Sequence, residues 1–251
     1  MNIGIIIQAR VGSTRFPHKM TVPFYDGRGM LHFLLSRMVS TNLPAPIILA
    51  IPDTPENDVL EEIGTSLNLK IFRGSEQDVM SRFINAALHY KISDIICVCA
   101  DIPFLDNHSI ISLIENLKNS DSDYISYCLS DGTPTIKTHF GFWPEAVRLS
   151  ALQAAADRTT EKYYREHVTN FIYAADNGFT RHCIPISSEI ELNNWARFTV
   201  DTAQDFKNMQ QVAKLTGMAL AHHSPLQMIK HIESFPHLKT SMQEEIKKNL
   251  K

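Results

Sequence analysis

Five short apolar runs alternating with helix-period segments constrain this chain more than any other feature. Residues 3–7, 46–51, 69–72, 94–99 and 123–127 are apolar, often β-branched, and bounded by turn residues, the pattern of strands. Helical periodicity appears over 30–39, with Leu31, Leu34, Leu35 and Met38 on one face, and over 57–67, with Val59, Leu60 and Ile63 inward. A third helix is expected from Ser75 as N-cap, with Asp78 at the capping-box position and Val79, Phe83, Ala86 and Ala87 as its apolar stripe. A fourth spans 107–117 through Ile110, Ile111, Ile114 and Leu117. Strands that are apolar throughout, rather than alternating, are buried on both faces. The expectation is therefore an α/β fold with a doubly wound, mostly parallel sheet, and 94–99, the most hydrophobic run, at its centre. Ligands of such sheets bind beyond the carboxyl ends of the strands, so the loops there are where chemistry is expected.

The pattern loosens over 129–142, where Ser130-Asp131-Gly132-Thr133-Pro134 reads as a turn. Helices follow over 150–156 and 161–173, strands over 181–186 and 195–200, and a helix over 203–215. The last 30 or so residues are helical in pattern with a break at Pro236. This divides the chain into a main α/β domain, 1–220, interrupted by the irregular stretch near 129–160, and a C-terminal helical extension, 221–251.

A formal charge of −3 argues against general binding to nucleic acid or a membrane surface. No apolar run approaches the ~20 residues of a membrane helix. The start of the chain goes straight into a strand without a secretory leader pattern, which predicts a cytoplasmic protein. Cys97, Cys99, Cys128 and Cys183 lack metal-site spacing and read as free, buried thiols. His139, His182, His222 and His223 likewise read as surface or structural residues, and Trp195 as core.

The first apolar run leads into Gln8-Ala9-Arg10-Val11-Gly12-Ser13-Thr14-Arg15-Phe16-Pro17-His18-Lys19. Three cations stand here among small residues. Small residues let backbone N–H groups approach an anion while the cations offset its charge, so the loop fits a polyphosphate; the alternative is a solvated connection. It is neither a Walker A loop nor a dinucleotide fingerprint. Asp101 follows the central strand and Asp201 a late one, so both fall where a sheet ligand binds. Carboxylates beside a triphosphate suit Mg2+. Each also suits a helix N-cap, Asp201 for the helix starting near 203.

Five blocks in order resemble the sugar-acid cytidylyltransferases, which include the CMP-sialic-acid and CMP-Kdo synthetases, and within them the SpsF-like branch. They are the opening loop, Phe72-Arg73-Gly74-Ser75-Glu76-Gln77-Asp78-Val79, Ala100-Asp101-Ile102-Pro103-Phe104-Leu105-Asp106, Arg165-Glu166-His167-Val168-Thr169 and Phe198-Thr199-Val200-Asp201-Thr202. The resemblance implies a GT-A-like nucleotide-diphospho-sugar transferase fold, with 1–220 as the nucleotide-binding domain and 129–160 as an acceptor or dimerisation insertion. It also implies Mg2+-dependent transfer of CMP from CTP to a sugar acid, with release of pyrophosphate, in surface polysaccharide biosynthesis, and a homodimer formed near the apolar stretch 138–156. By position it implies that Arg10, Arg15 and Lys19 bind the triphosphate, with Ser13 donating hydrogen bonds. Asp101 and Asp201 would hold the metal, and Asp101 would thereby act in catalysis. Ala9 and Arg73 would approach the cytidine, and Glu145 and His167 the acceptor.

Three residues depart from the family pattern. Phe16 and His18 replace leucine and glycine in the loop; His18 either alters the turn, because histidine disfavours positive φ, or adds a donor to the phosphate. Trp143 replaces an aspartate in Gly141-Phe142-Trp143-Pro144-Glu145. A rival reading, a glycosyltransferase using a nucleotide sugar, calls for an Asp-x-Asp motif that Asp101-Ile102-Pro103 lacks. A non-catalytic nucleotide-binding relative is the other rival. The three retained cations and two aspartates count against it.

Overall fold

The computed structural model describes residues 2–174, 177–220 and 223–249. Nine strands form in chain order: β1 (Ile3–Gln8), β2 (Pro23–Tyr25), β3 (Arg28–Gly29), β4 (Ile47–Pro52), β5 (Lys70–Gly74), β6 (Asp94–Cys99), β7 (Tyr124–Cys128), β8 (Glu145–Arg148) and β9 (Arg181–Pro185), counted among the described residues. The helices are α1 (Met30–Ser40), α2 (Asp58–Ser66), α3 (Val79–His89), α4 (Asn107–Asn119), α5 (Leu149–Arg158), α6 (Lys162–Glu166), α7 (Asn170–Tyr173), α8 (Ser188–Glu191), α9 (Ala203–Leu220), α10 (Pro225–Glu233) and α11 (Pro236–Lys248).

The main sheet has seven strands in the order β5-β4-β1-β6-β8-β7-β9, with β6 at its middle. Successive side chains of a strand face opposite sides, and the two buried clusters divide accordingly. Ile5, Ile7, Ile96 and Val98 pack with α1 and α4 on one face. Ile6, Ile95 and Cys97 pack with α3 and α5 on the other. The doubly wound α/β arrangement is present, but the sheet is mixed. β8 runs antiparallel between β6 and β7.

This insertion is the main departure from the sequence reading. The chain leaves the carboxyl end of β7, crosses the top of the sheet over residues 129–144, and re-enters downward as β8. Within the apolar stretch 138–156, Phe140, Phe142, Trp143, Ala146, Val147, Leu152 and Ala155 are buried in the chain's own core. β8 escaped the sequence reading because it is four residues long and carries a charge at each end.

Residues 195–200, expected as a strand, form no ladder. They run buried across the sheet top, tied by Phe198 N–H to the His139 carbonyl (3.0 Å) and Val200 N–H to the Asp101 carbonyl (2.8 Å). The helix expected over 161–173 breaks into α6 and α7 at His167-Val168-Thr169, where two β-branched residues in succession weaken it. The α3 cap is Asp78, whose carboxylate accepts from Ser81 N–H at 2.9 Å, while Ser75 closes the preceding turn. Val59 is 38 % exposed rather than inward, and Cys183 is exposed while remaining a free thiol like the other three cysteines.

The segment expected as an extension joins the main core: Met228, Ile229 and Ile232 of α10 and Leu238 and Met242 of α11 belong to the same cluster as α1 and α4. Pro236 opens α11 as its first residue. The proposed boundary at 220/221 and His222 lie at or outside the edge of the described residues. No helix among the described residues is long and apolar enough to cross a membrane.

Gly141 sets how closely the crossing segment approaches residues 198–199. Its φ is +67°, and a Cβ there would lie 2.6 Å from the Phe198 carbonyl carbon and 2.7 Å from the Thr199 nitrogen. Both neighbours are backbone and cannot swing away. Gly141→Ala is therefore expected to destabilise the protein by about 3 kcal/mol or more, measured as a shift of the denaturant midpoint.

Candidate active site

A cleft of about 830 Å³ opens at the carboxyl ends of β1 and β6. Three walls enclose it. The first is the β1 loop, contributing Gln8, Ala9, Arg10, Ser13, Thr14, Arg15 and Lys19. The second joins Cys99, Ala100 and Asp101 after β6 to Thr199 and Asp201. The third comes from the crossing segment and the α6–α7 elbow, with Lys137, Trp143, Glu166, His167, Asn170 and Tyr173 among its residues.

The β1 loop is shaped by its own hydrogen bonds. Val11 N–H donates to Asn57 Oδ1 (3.0 Å), and the Val11 carbonyl accepts from the N–H groups of Ser13 (2.9 Å) and His18 (3.2 Å). His18 holds φ +58°, the conformation a glycine would take, so the turn is kept at a steric cost rather than altered. Its side chain is exposed and does not line the cleft, so it adds no phosphate donor there. Phe16 anchors the loop. Its ring meets Phe206 edge-on at 5.1 Å between centroids, and Phe206 meets Phe24 at 5.3 Å. That contact continues through Phe33, Phe104, Phe198 and Phe142 to Trp143, so an unbroken aromatic path underlies the cleft.

Each cation of the loop is held from across the cleft. Arg10 pairs with Glu166 of α6 at 2.9 Å, and Arg15 with Asp201 at 2.7 Å. Lys19 is 8 % exposed and donates to the Val200 carbonyl at 2.7 Å. Asp201 also accepts from Arg197 at 3.1 Å, and Arg197 bonds both oxygens of Asp205, at 2.6 and 2.8 Å. Burial pushes the Arg197 pKa down, and the carboxylates of Asp205 and Asp201 more than reverse this, so it stays a cation. Thr202 and Asp205 form the cap of α9: the Thr202 hydroxyl accepts from Asp205 N–H (3.1 Å), and the Asp205 carboxylate accepts from Thr202 N–H (3.0 Å). Asp201 is thereby released from the capping role the sequence allowed it. Asp106 caps α4, so Asp101 does not cap it either. Among the described residues the Asp101 side chain has no hydrogen-bond or ion-pair partner.

Of the residues singled out in the sequence, Ala9, Arg10, Ser13, Arg15, Lys19, Asp101, His167 and Asp201 line this one cleft. Two do not. Arg73 turns outward to Asp53 (3.1 Å), Asp58 (2.8 Å) and Glu61 (2.5 Å), which raise its pKa. Glu145 is buried behind the third wall. Lys137, Asn170 and Tyr173 escaped the sequence reading, since nothing in the chain's order brings them to the β1 loop. Lys137 stands over the Tyr173 ring at 5.3 Å and, among the described residues, pairs with no carboxylate.

A cationic loop and two aspartates meet at the carboxyl ends of a doubly wound sheet, and comparison with known proteins gives the family. The family model described as cytidylyltransferase matches residues 4–240. The chain belongs to the cytidylyltransferase family. This cytidylyltransferase-family chain is 33 % identical over 214 residues to the uncharacterized protein MJ1063 of Methanocaldococcus jannaschii, covering 85 % of this chain and 84 % of that one. It is 27 % identical over 221 residues to the spore coat polysaccharide biosynthesis protein SpsF of Bacillus subtilis, covering 86 % and 88 %. The structure of a cytidylyltransferase from Leptospira borgpetersenii superposes with a TM-score of 0.82 at 25 % identity, covering 95 % of this chain and 96 % of that one. A CMP:2-keto-3-deoxy-manno-octonic acid synthetase complexed with CTP shares the fold, with a TM-score of 0.63 at 14 % identity and coverage of 85 % and 99 %.

The left-handed histidine gives this loop a direct test. His18→Gly is expected to stabilise the fold by about 0.5–1 kcal/mol, because relief of the αL strain outweighs the added freedom of the unfolded chain. A rise in the thermal midpoint checks it.

Proposed function

We propose that this cytidylyltransferase-family chain transfers CMP from CTP to a hydroxyl of a sugar acid, releasing pyrophosphate. The observation that carries this reading is the convergence of three loop cations and two aspartates on one cleft whose far wall bears Lys137. Arg10, Arg15 and Lys19 would neutralise the triphosphate, exchanging Glu166 and Asp201 for phosphate oxygens. Ser13 and Ala9 would contribute hydroxyl and backbone contacts in the same loop. The acceptor hydroxyl oxygen attacks the α-phosphorus as its proton passes to solvent, and the bond from that phosphorus to the departing pyrophosphate breaks. Charge then gathers on the leaving group, where preorganised cations lower the barrier most.

Asp101 and Asp201 offer the oxygen donors that Mg2+ favours, and the Asp101 carboxylate, which has no partner among the described residues, fits such an ion. When bound, the metal would spread the phosphate charge. Lys137, across the cleft from the loop, would take the carboxylate of the acceptor, with His167 and Asn170 beside it for hydroxyls. The name of the SpsF relative points to polysaccharide assembly as the destination of the product.

Incubation with CTP, Mg2+ and a panel of sugar acids should release pyrophosphate with at least one of them. CTP should raise the melting temperature, and UDP-sugars should not. Absence of both effects would overturn the proposal. Asp201→Asn is expected to lower kcat by roughly 10²–10³-fold while the protein stays folded by circular dichroism.

A further inference from the structure

Glu145 stands behind the cleft rather than in it. It opens β8 and is 6 % exposed. Cys97 of β6 and Ser126 of β7 are its partners in the ladder. The Tyr124 hydroxyl donates to one carboxylate oxygen, and the Thr169 hydroxyl donates to the other at 3.0 Å. The titratable groups that face it are Cys97 from β6, Tyr124 from β7 and Tyr173 from α7; each is raised by burial first and by the Glu145 charge second. Among the described residues no cation pairs with Glu145. Burial pushes its pKa up to about 7, and the two hydroxyl bonds offset this only in part.

Thr169 joins this buried acid to the cleft. It sits at the N-cap position of α7, yet its side chain makes no cap bond and is spent on Glu145 instead. Beyond it, on α7, lie Asn170 and Tyr173, both of which line the cleft. We propose that Glu145 is a positioning residue for the acceptor: through Thr169 it sets the start of α7, and with it how Asn170 and Tyr173 are presented to the cleft. The inference rests on the reading of this wall as the acceptor side.

The chemistry of the carboxyl group supplies the sign. An ionised carboxylate accepts from both hydroxyls at once. The protonated acid carries a donor of its own, so one hydroxyl must turn to receive it. The Thr169 bond that ties the start of α7 to β8 is then weakened or reversed, and the elbow loosens. Acceptor binding weakens as pH falls through the titration of Glu145, while CTP binding, on the opposite wall, does not follow it.

The test compares wild type with Glu145→Gln, Thr169→Val and Thr169→Ser between about pH 6 and pH 8.5. The acceptor is the sugar acid that turns over best in the pyrophosphate assay. For wild type, the acceptor KM should rise roughly threefold or more on acidification, with CTP KM nearly constant. Glu145→Gln and Thr169→Val should show the raised acceptor KM at every pH, and Thr169→Ser should restore the wild-type profile. A Glu145→Gln profile parallel to wild type, or CTP and acceptor KM moving together, would overturn the proposal. Backbone hydrogen exchange over 162–173, corrected for intrinsic rates, reads the elbow without any substrate. It should quicken at low pH in wild type and be pH-independent in Glu145→Gln. Equal wild-type protection at both pH values would sink the elbow mechanism even if no sugar acid turns over. An intact exchange response without turnover would instead count against the assigned reaction.

Discussion

The site is organised around one buried cation. Arg197 is almost wholly enclosed and is bonded by both oxygens of Asp205 and one of Asp201. A guanidinium in this position would be costly without such partners, and removal of the Asp205 carboxylate, which bonds it twice, would leave charge stranded in the core. The triad lets residues 195–200 cross the sheet top without a strand partner. Because Asp205 is occupied by Arg197 and by the cap of α9, Asp201 is left facing the cleft. Thr202, beside it, is fixed in turn by Glu245 of α11 at 2.7 Å. The C-terminal helix thus supports the same corner as the β1 loop.

The electrostatics of the cleft follow from that corner. Arg10 and Arg15 are charged side chains on a loop of small residues and would sample many rotamers if left alone. Glu166 and Asp201 hold them near the place where phosphate oxygens would lie, which reduces the ordering cost of binding. These partners are half-exposed or line the cleft, so a triphosphate of higher charge can displace them. Lys19 is different: it is buried, and its bond to the Val200 carbonyl braces the loop against the Arg197 segment. The three cations therefore divide into two that can exchange partners and one that holds the frame.

Local signals were enough to see most of the sheet. The runs that became β1, β4 and β6 are long, apolar on both faces and bounded by turns, so burial and strand identity coincide. Arg10, Arg15, Lys19, Asp101 and Asp201 were visible because they lie at the ends of such runs. What stayed hidden depends on partners distant in the chain. β8 is legible only once β6 and β7 are known to leave a gap between them. Residues 195–200 have the burial of a strand but pair with no strand of the sheet. Arg73 looked like a cleft residue until three carboxylates of the preceding loop and helix claimed it. Glu145 matched a family position, but its side chain points into the protein, toward a tyrosine and a threonine 21 and 24 residues away.

The placement of β8 also dictates an order of assembly. β5, β4, β1 and β6 are contiguous in the sheet and lie wholly within the first hundred residues, so that half can form from local parallel units. β7 is synthesised next but has no bonded neighbour among the strands already made. It joins only when β8, some twenty residues later, fills the space beside β6, with Arg148 clasping Asp94 at the far end. Until then β7 is an unpaired, apolar strand with both edges open. Such an interval is a point of exposure to wrong partners for a nascent chain, and it ends only when β9 covers the other edge of β7.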